Sequence, residues 1–183
     1  MRRILLIMVL CFLAVASTGC KKARLRAQLK ELMSSTIVLP EKVTCVYNGE
    51  VFPMPDSLRD KRKLIVYIDS TECTTCRISH FWEYQDLFDL SVQTGSFDVL
   101  LLMCNTEFES IPLIRYLSDQ NLPYPVYVDT DKVFLKDNQV IPSDTRMHSL
   151  FVDSAGRPLF VGDPSRSGHM MTAFKLALQN NQK

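Results

Sequence analysis

Each thing this sequence has little of narrows what it can be. No charge of one sign dominates: 21 Lys and Arg stand against 20 Asp and Glu. The basic excess that marks a nucleic-acid binder is therefore missing, and nucleic acid is not an expected partner. Cysteine is sparse, and six in 183 residues do not make a disulfide scaffold. Hydrophobic content of 46% supplies a core without staples. No apolar run reaches the roughly 20 residues of a membrane-spanning helix; the longest runs only from Ile4 to Ala16. Internal repeats and low-complexity stretches are also absent. What remains is one ordinary globular domain behind an N-terminal extension.

That extension reads as an export signal. Arg2 and Arg3 form a positive n-region, and ILLIMVLCFLAVA follows as the h-region. Ser17-Thr18-Gly19-Cys20 then resembles a bacterial lipoprotein cleavage site, with Ser17 where that pattern usually has Leu. The resemblance implies removal of residues 1–19 and acylation of Cys20. It implies a membrane-anchored lipoprotein of the cell envelope facing the periplasm, where disulfide chemistry is possible. A plain secretory signal with an incidental Cys20 is the alternative. Lys21, Lys22, Arg24, Arg26 and Lys30 come next, with Leu25, Leu29, Leu32 and Met33 at helical spacing among them. Such a stretch can rest on anionic headgroups. Its shortness and its end at Ser34-Ser35 favour a solvated basic tether over residues 20–40, leading to a domain over 41–183.

Within that domain the pattern alternates. Val43 to Tyr47, Asn48-Gly49 and Val51-Phe52 predict a hairpin, since Asn-Gly suits the two left-handed positions of a tight turn. Leu64 to Ile68 is a buried strand. A helix after it takes its apolar face from Ile78, Phe81, Trp82, Leu87 and Phe88, with Gly95 near its end. Phe97 to Met103 and Pro125 to Val128 predict strands on either side of a helix from Ser110 to Ser118, and Asp131 to Lys136 predicts one helical turn. Ser149 to Val152 and Leu159 to Val161 make a second hairpin, and Ser165 to Gln179 a last helix. Strands alternating with helices predict an α/β fold around a mixed sheet.

The feature that carries chemistry is Cys73-Thr74-Thr75-Cys76, directly after a buried strand and opening a helix. The nucleophile in disulfide exchange is a thiolate. Unpaired N–H groups and the positive end of the helix dipole stabilise one at a helix start. Cys73 falls there, and Cys76 lies a turn further on the same face, within disulfide reach. Cys73 would attack a client disulfide and Cys76 would resolve the mixed disulfide. Glu72 opposes thiolate formation and Arg77 favours it; the sequence does not sign their sum.

The run VTCVYNGEVFPMPDSLRDKRKLIVYIDSTECTTC resembles the start of the membrane-anchored, periplasm-facing thioredoxin-like reductases. These share the redoxin fold with the alkyl hydroperoxide reductase/thiol-specific antioxidant group. The later HSLFVDSAGRPLFVG is similar to that family's closing strand, Asp, Gly-containing turn and strand. The resemblance implies a thioredoxin-like three-layer sandwich with a central mixed sheet and an N-terminal β-hairpin. It implies a protein thiol–disulfide oxidoreductase without cofactor or metal, whose partners are client proteins and a further redox protein. Where the family has Trp before its first Cys this chain has Glu72, and Met147 stands at the position of its cis-proline. The peptide before Met147 is therefore expected to be trans. The loop is expected to lie over Cys73 and Cys76, with Met147 covering part of the disulfide. His148 should point at the pair or along the opposite side of the strand.

Other readings compete. The Cys pair can be an inert structural disulfide in a non-catalytic binding module. Cys45 and Cys104 sit in apolar strands and read as buried small hydrophobes; Trp82 reads as core. His80 is four after Cys76, and Met147 with His148 could join the pair around Cu(I) in a metallochaperone. A thiol peroxidase of the peroxiredoxin kind would use Ser70, three before Cys73, and an Arg at the position of Met147, one residue from Arg146.

Overall fold

The computed structural model describes residues 22–69, 72–104 and 110–180. The export and acylation expectations at residues 1–21, Cys20 included, lie outside them, as does Ser70. Helix α1 occupies 22–33. Strands β1 (Val43–Tyr47) and β2 (Glu50–Pro53) form the hairpin, turning at Asn48 and Gly49 with φ of 49° and 76°. There follow β3 (Lys63–Ile68), α2 (Thr74–Ser79), α3 (Gln85–Thr94), β4 (Asp98–Met103) and α4 (Ser110–Gln120). The chain closes with β5 (Val126–Asp129), α5 (Phe134–Asp137), β6 (Ser149–Val152), β7 (Pro158–Val161) and α6 (Gly168–Asn180).

All seven strands share one mixed sheet in the order β2-β1-β5-β4-β3-β6-β7. β3, β4 and β5 are parallel neighbours, and β6 and β7 continue antiparallel from β3. Side chains alternate along each strand. Leu64, Val66, Ile68, Val99, Leu101 and Met103 face a first core under α2, α3, α4 and α6. Ile65, Tyr67, Leu100 and Leu102 face a second core with Leu32 and Phe134. Helices thus cover both faces, which is the thioredoxin-like three-layer α/β arrangement expected, hairpin included.

Two expectations fail. The helix after the Cys motif is not continuous: it breaks at His80 (φ −103°, ψ 9°) and passes through a 3₁₀ turn, Phe81–Tyr84, before α3. Ile78, Phe81, Tyr84 and Leu87 are all buried, three residues apart at each step. At about 100° per residue, an α-helix would carry Leu87 to the side opposite Ile78. Tightening to three residues per turn keeps all four on the core. Trp82, read as core, is thereby turned outward and is 67% exposed.

The basic segment is not a solvated tether. Leu32 and Ile37 are buried and Leu25 packs beside them on the second core. The Ile37 N–H donates to the Gly156 carbonyl at 2.8 Å. Asn138 clasps Val38, accepting from its N–H and donating to its C=O, both at 2.8 Å. A Cβ on Gly156 would stand 2.3 Å from the Ile37 carbonyl oxygen, so glycine is what lets this strap pass. The packed unit therefore begins near residue 22, not 41. The apolar residues at helical spacing had a sheet face to cover, which local reading could not see.

Candidate functional site

β3 delivers the chain into the site. Cys73 is the N-cap of α2 and Cys76 lies one turn along; they form a disulfide with Cα atoms 5.3 Å apart, both residues exposed. The Cys76 N–H points at Cys73 Sγ from 3.3 Å, and Thr75 Oγ1 lies 3.6 Å from the same sulfur. On reduction, Cys73 Sγ therefore sits against the first free amides of the helix, the environment that holds a thiolate.

The flanking charges are tied together. Arg77 Nε lies 3.4 Å from Glu72 Oε2, and both side chains are mostly buried. Arg77 Nη2 donates to the Tyr84 hydroxyl at 2.7 Å, which donates to Asp163 Oδ2 at 3.0 Å. Burial first, then the Asp163 charge, pushes the Tyr84 phenol well above its usual value, so it stays protonated and keeps its donor role. Asp163 Oδ1 caps the turn at Ser165, accepting from its N–H and hydroxyl. The two charges flanking the Cys pair are thus paired with each other.

A cavity of about 390 Å³ is lined by the residues flanking the pair, Glu72 and Arg77, though by neither cysteine. Glu72 and Arg77 form one wall, Thr145, Arg146 and Ser149 another, and Asp163 and Arg166 a third. The loop before β6 does face the flanks of both cysteines. No described peptide bond is cis, that before Met147 included. The side chains of the loop go elsewhere than expected. Thr145–Met147 is a 3₁₀ turn capped by Asp144, and His148 has helical φ and ψ. Strand alternation therefore does not reach back to these residues. Met147 is buried in the second core instead of covering the disulfide.

His148 is 1% exposed, with Nε2 2.9 Å from the Pro142 carbonyl. A carbonyl only accepts, so Nε2 carries the hydrogen. Nδ1 makes no hydrogen bond and faces Asp69 Oδ2 at 4.0 Å. Asp69 opens the Cys loop, its carbonyl accepting from the Glu72 N–H at 3.0 Å.

These placements remove the ligands of the Cu(I) reading. His80 pairs with Glu83 at 3.2 Å, and no cluster of three His, Cys, Asp or Glu side chains among the described residues is placed to hold a metal. Arg146, the nearest candidate for a peroxidase arginine, is bound to Asp144 with Nη2–Oδ2 2.6 Å. That hydrogen bond holds the Asp144 carboxyl below its usual range. A larger hollow of about 550 Å³ lies at the β1–β2 hairpin and is lined by no cysteine. Cys45 and Cys104 are free and buried.

No family model matches the sequence, and no curated protein matches it. Some solved structures are similar to it at low identity. A thiol:disulfide interchange protein from Bacteroides sp. is 13% identical over 82% of this chain and 94% of its own, with a TM-score of 0.47. AhpC from Enterococcus faecalis is 11% identical over 80% and 95%, with a TM-score of 0.48. A thioredoxin-like protein from Porphyromonas gingivalis is 14% identical over 82% and 97%, also at 0.48. At such identities and TM-scores, function must be argued from the site itself.

Several residues of that site were missed in the sequence. Asp144 and Asp163 each precede a short turn that they cap, Asp163 just before Pro164-Ser165, a local signal that was available. The Tyr84–Asp163 bond joins residues 79 apart and left none. Asp69 and His148 meet only because β3 and β6 pair.

Proposed function

We propose that this chain is a protein thiol–disulfide oxidoreductase of the cell envelope, with Cys73 as nucleophile and Cys76 as resolving residue. One observation carries the reading: an exposed, closed Cys pair at the start of α2, with the Cys76 amide aimed at the Cys73 sulfur. A staple for the fold would gain nothing from lying at an exposed helix start with an amide aimed at one sulfur.

In the reducing direction the Cys73 thiolate attacks one sulfur of a client disulfide. That S–S bond breaks, a mixed disulfide forms, and the other client sulfur leaves as a thiolate and takes up a proton. Cys76 loses its proton and attacks Cys73 Sγ. The mixed disulfide breaks, the second client thiolate leaves, and the Cys73–Cys76 bond closes. Two electrons have passed to the client, and a dithiol redox partner restores the pair by the same steps. Oxidation of a client dithiol runs the sequence backwards. The paired Glu72 and Arg77 anchor α2 through Tyr84 to the segment after β7, and both line the cavity where a client segment would lie. The export signal and Cys20 support an acylated, envelope-facing protein.

Insulin reduction driven by dithiothreitol tests the activity. Cys76→Ser should accumulate mixed disulfides with envelope proteins, while Cys73→Ser accumulates none. Equal trapping by both variants would void the division of roles. Fatty-acid labelling that survives Cys20→Ala would void the anchor.

A further inference from the structure

We infer that α1 carries a second surface of this protein, a flank that lies on an anionic lipid bilayer and orients the domain against it. The inference deepens the envelope reading above and rests on it for location, though not for its chemistry.

The helix is fixed to the domain by one side only. Leu25 and Leu32 face the second core, and Leu32 is fully buried. At about 100° per residue, Lys22, Arg26 and Lys30 fall on a flank together with Leu29 and Met33, within a sector of about 100°. All five are exposed, Leu29 and Met33 at 39% and 38%. No described residue forms an ion pair with these three cations. The one acid of the helix, Glu31, lies on the far flank beside Arg24.

A purely solvated charged face would not set two half-exposed apolar side chains among its cations. An interfacial helix does: the apolar groups enter the headgroup layer while Lys and Arg stems reach up to phosphate. On the envelope reading, Cys20 carries the acyl chains once residues 1–19 are removed, and it stands two residues before Lys22 in the sequence. A bilayer tethered there is within reach of α1.

The flank is also held in place. The strap after α1 is bonded at Gly156, in the turn that follows Val152. Val152 pairs with Lys63, at the start of β3. Cys73 follows the other end of that strand, so the strap and the redox pair lie beyond opposite ends of a strand roughly 17 Å long. Docking α1 on lipid would therefore set the bearing of Cys73 relative to the membrane, instead of leaving the domain to swing on a flexible tether.

The test uses the full chain in vesicles of phosphatidylcholine, with and without about one-quarter phosphatidylglycerol, and a membrane-impermeant acetylating reagent read by mass spectrometry. Lys22 and Lys30 should be acetylated at least about threefold more slowly on the anionic vesicles, and roughly 0.5 M salt should abolish the protection. Lys175, on α6 across the sheet, should not change. The double variant Lys22→Glu/Arg26→Glu should lose the protection at Lys30, whereas Arg24→Glu, on the far flank, should keep it. Equal labelling of Lys22 and Lys30 on both vesicles overturns the inference, as does equal loss from Arg24→Glu. Flotation separates this from the anchor. A chain that floats only with anionic vesicles and shows the protection fails the anchor alone. A chain that floats with both and shows none fails the α1 surface alone.

Discussion

Two kinds of cysteine occupy this molecule, and their surroundings assign them opposite chemistry. Cys73 and Cys76 lie exposed at a helix start, with an amide aimed at a sulfur. Cys45 and Cys104 lie buried on the other face of the sheet, each in hydrogen-bond contact with a tyrosine, Tyr127 and Tyr67. Burial pushes the Cys45 thiol up to about 11, against the pull of Tyr127. Burial likewise raises Cys104. The same side chain is thus placed for nucleophilic chemistry where water and helix dipoles reach it, and as a small hydrophobe where they do not.

Four measurements can break or sharpen this contrast. The largest effect is on exchange itself. Cys73→Ser should lower insulin reduction by at least about a thousandfold, while Cys45→Ala and Cys104→Ala stay within about a factor of two. A comparable loss from either buried thiol would end the distinction.

Next is reactivity after reduction. At neutral pH a thiol near 11 is ionised to about one part in ten thousand, an ordinary one to about three parts in a hundred. Iodoacetamide should therefore modify Cys73 at least about 300 times faster than Cys45, measured peptide by peptide. Equal rates in the folded protein would mean the second core opens freely.

Stability comes third. Tyr127→Phe leaves Cys45 without its partner and should cost about 1 kcal/mol in urea unfolding. Leu32→Ala should cost about 2–5 kcal/mol, because α1 closes the same core. A change near zero for Leu32→Ala would mean that the strap does not hold α1 down.

The smallest effect is on pH dependence. The folded-state value of Cys45 lies above its unfolded value of 9.0. Above pH 9.0 the unfolded chain loses that proton first, so the contribution is whole below pH 9.0 and fades as pH rises towards 11. Buried tyrosines 67, 84 and 127, whose values are also raised, add to the same alkaline decline. Cys45→Ala should make the fall in unfolding free energy between those limits shallower, though not abolish it. An unchanged slope would show that the thiol is already ionised in the fold or takes no part.

How much of this was legible beforehand depends on distance along the chain. The Asn48-Gly49 hairpin, strands β3, β4 and β6, and the placement of Cys73 and Cys76 at a strand-to-helix turn rest on neighbouring residues, and they appear as read. The break at His80 was in principle visible in the three-residue spacing of Ile78, Phe81, Tyr84 and Leu87, but Trp82 drew the apolar face one residue aside. The peptide before Met147 is trans, as expected. The Met147 side chain was misjudged, because a 3₁₀ turn replaced the extended backbone the alignment assumed.

The sequence by itself determined the alternation of strands and helices, the reactive pair and the burial of Cys45 and Cys104, since each depends on periodicity or spacing within a few residues. Tertiary structure alone decided that α1 docks, that Tyr84 ties the segment after α2 to Asp163, and that His148 faces Asp69. Those contacts join segments that meet only once the sheet has paired. Their strength comes from burial, and a linear pattern does not carry which distant side chain will share the same dry space.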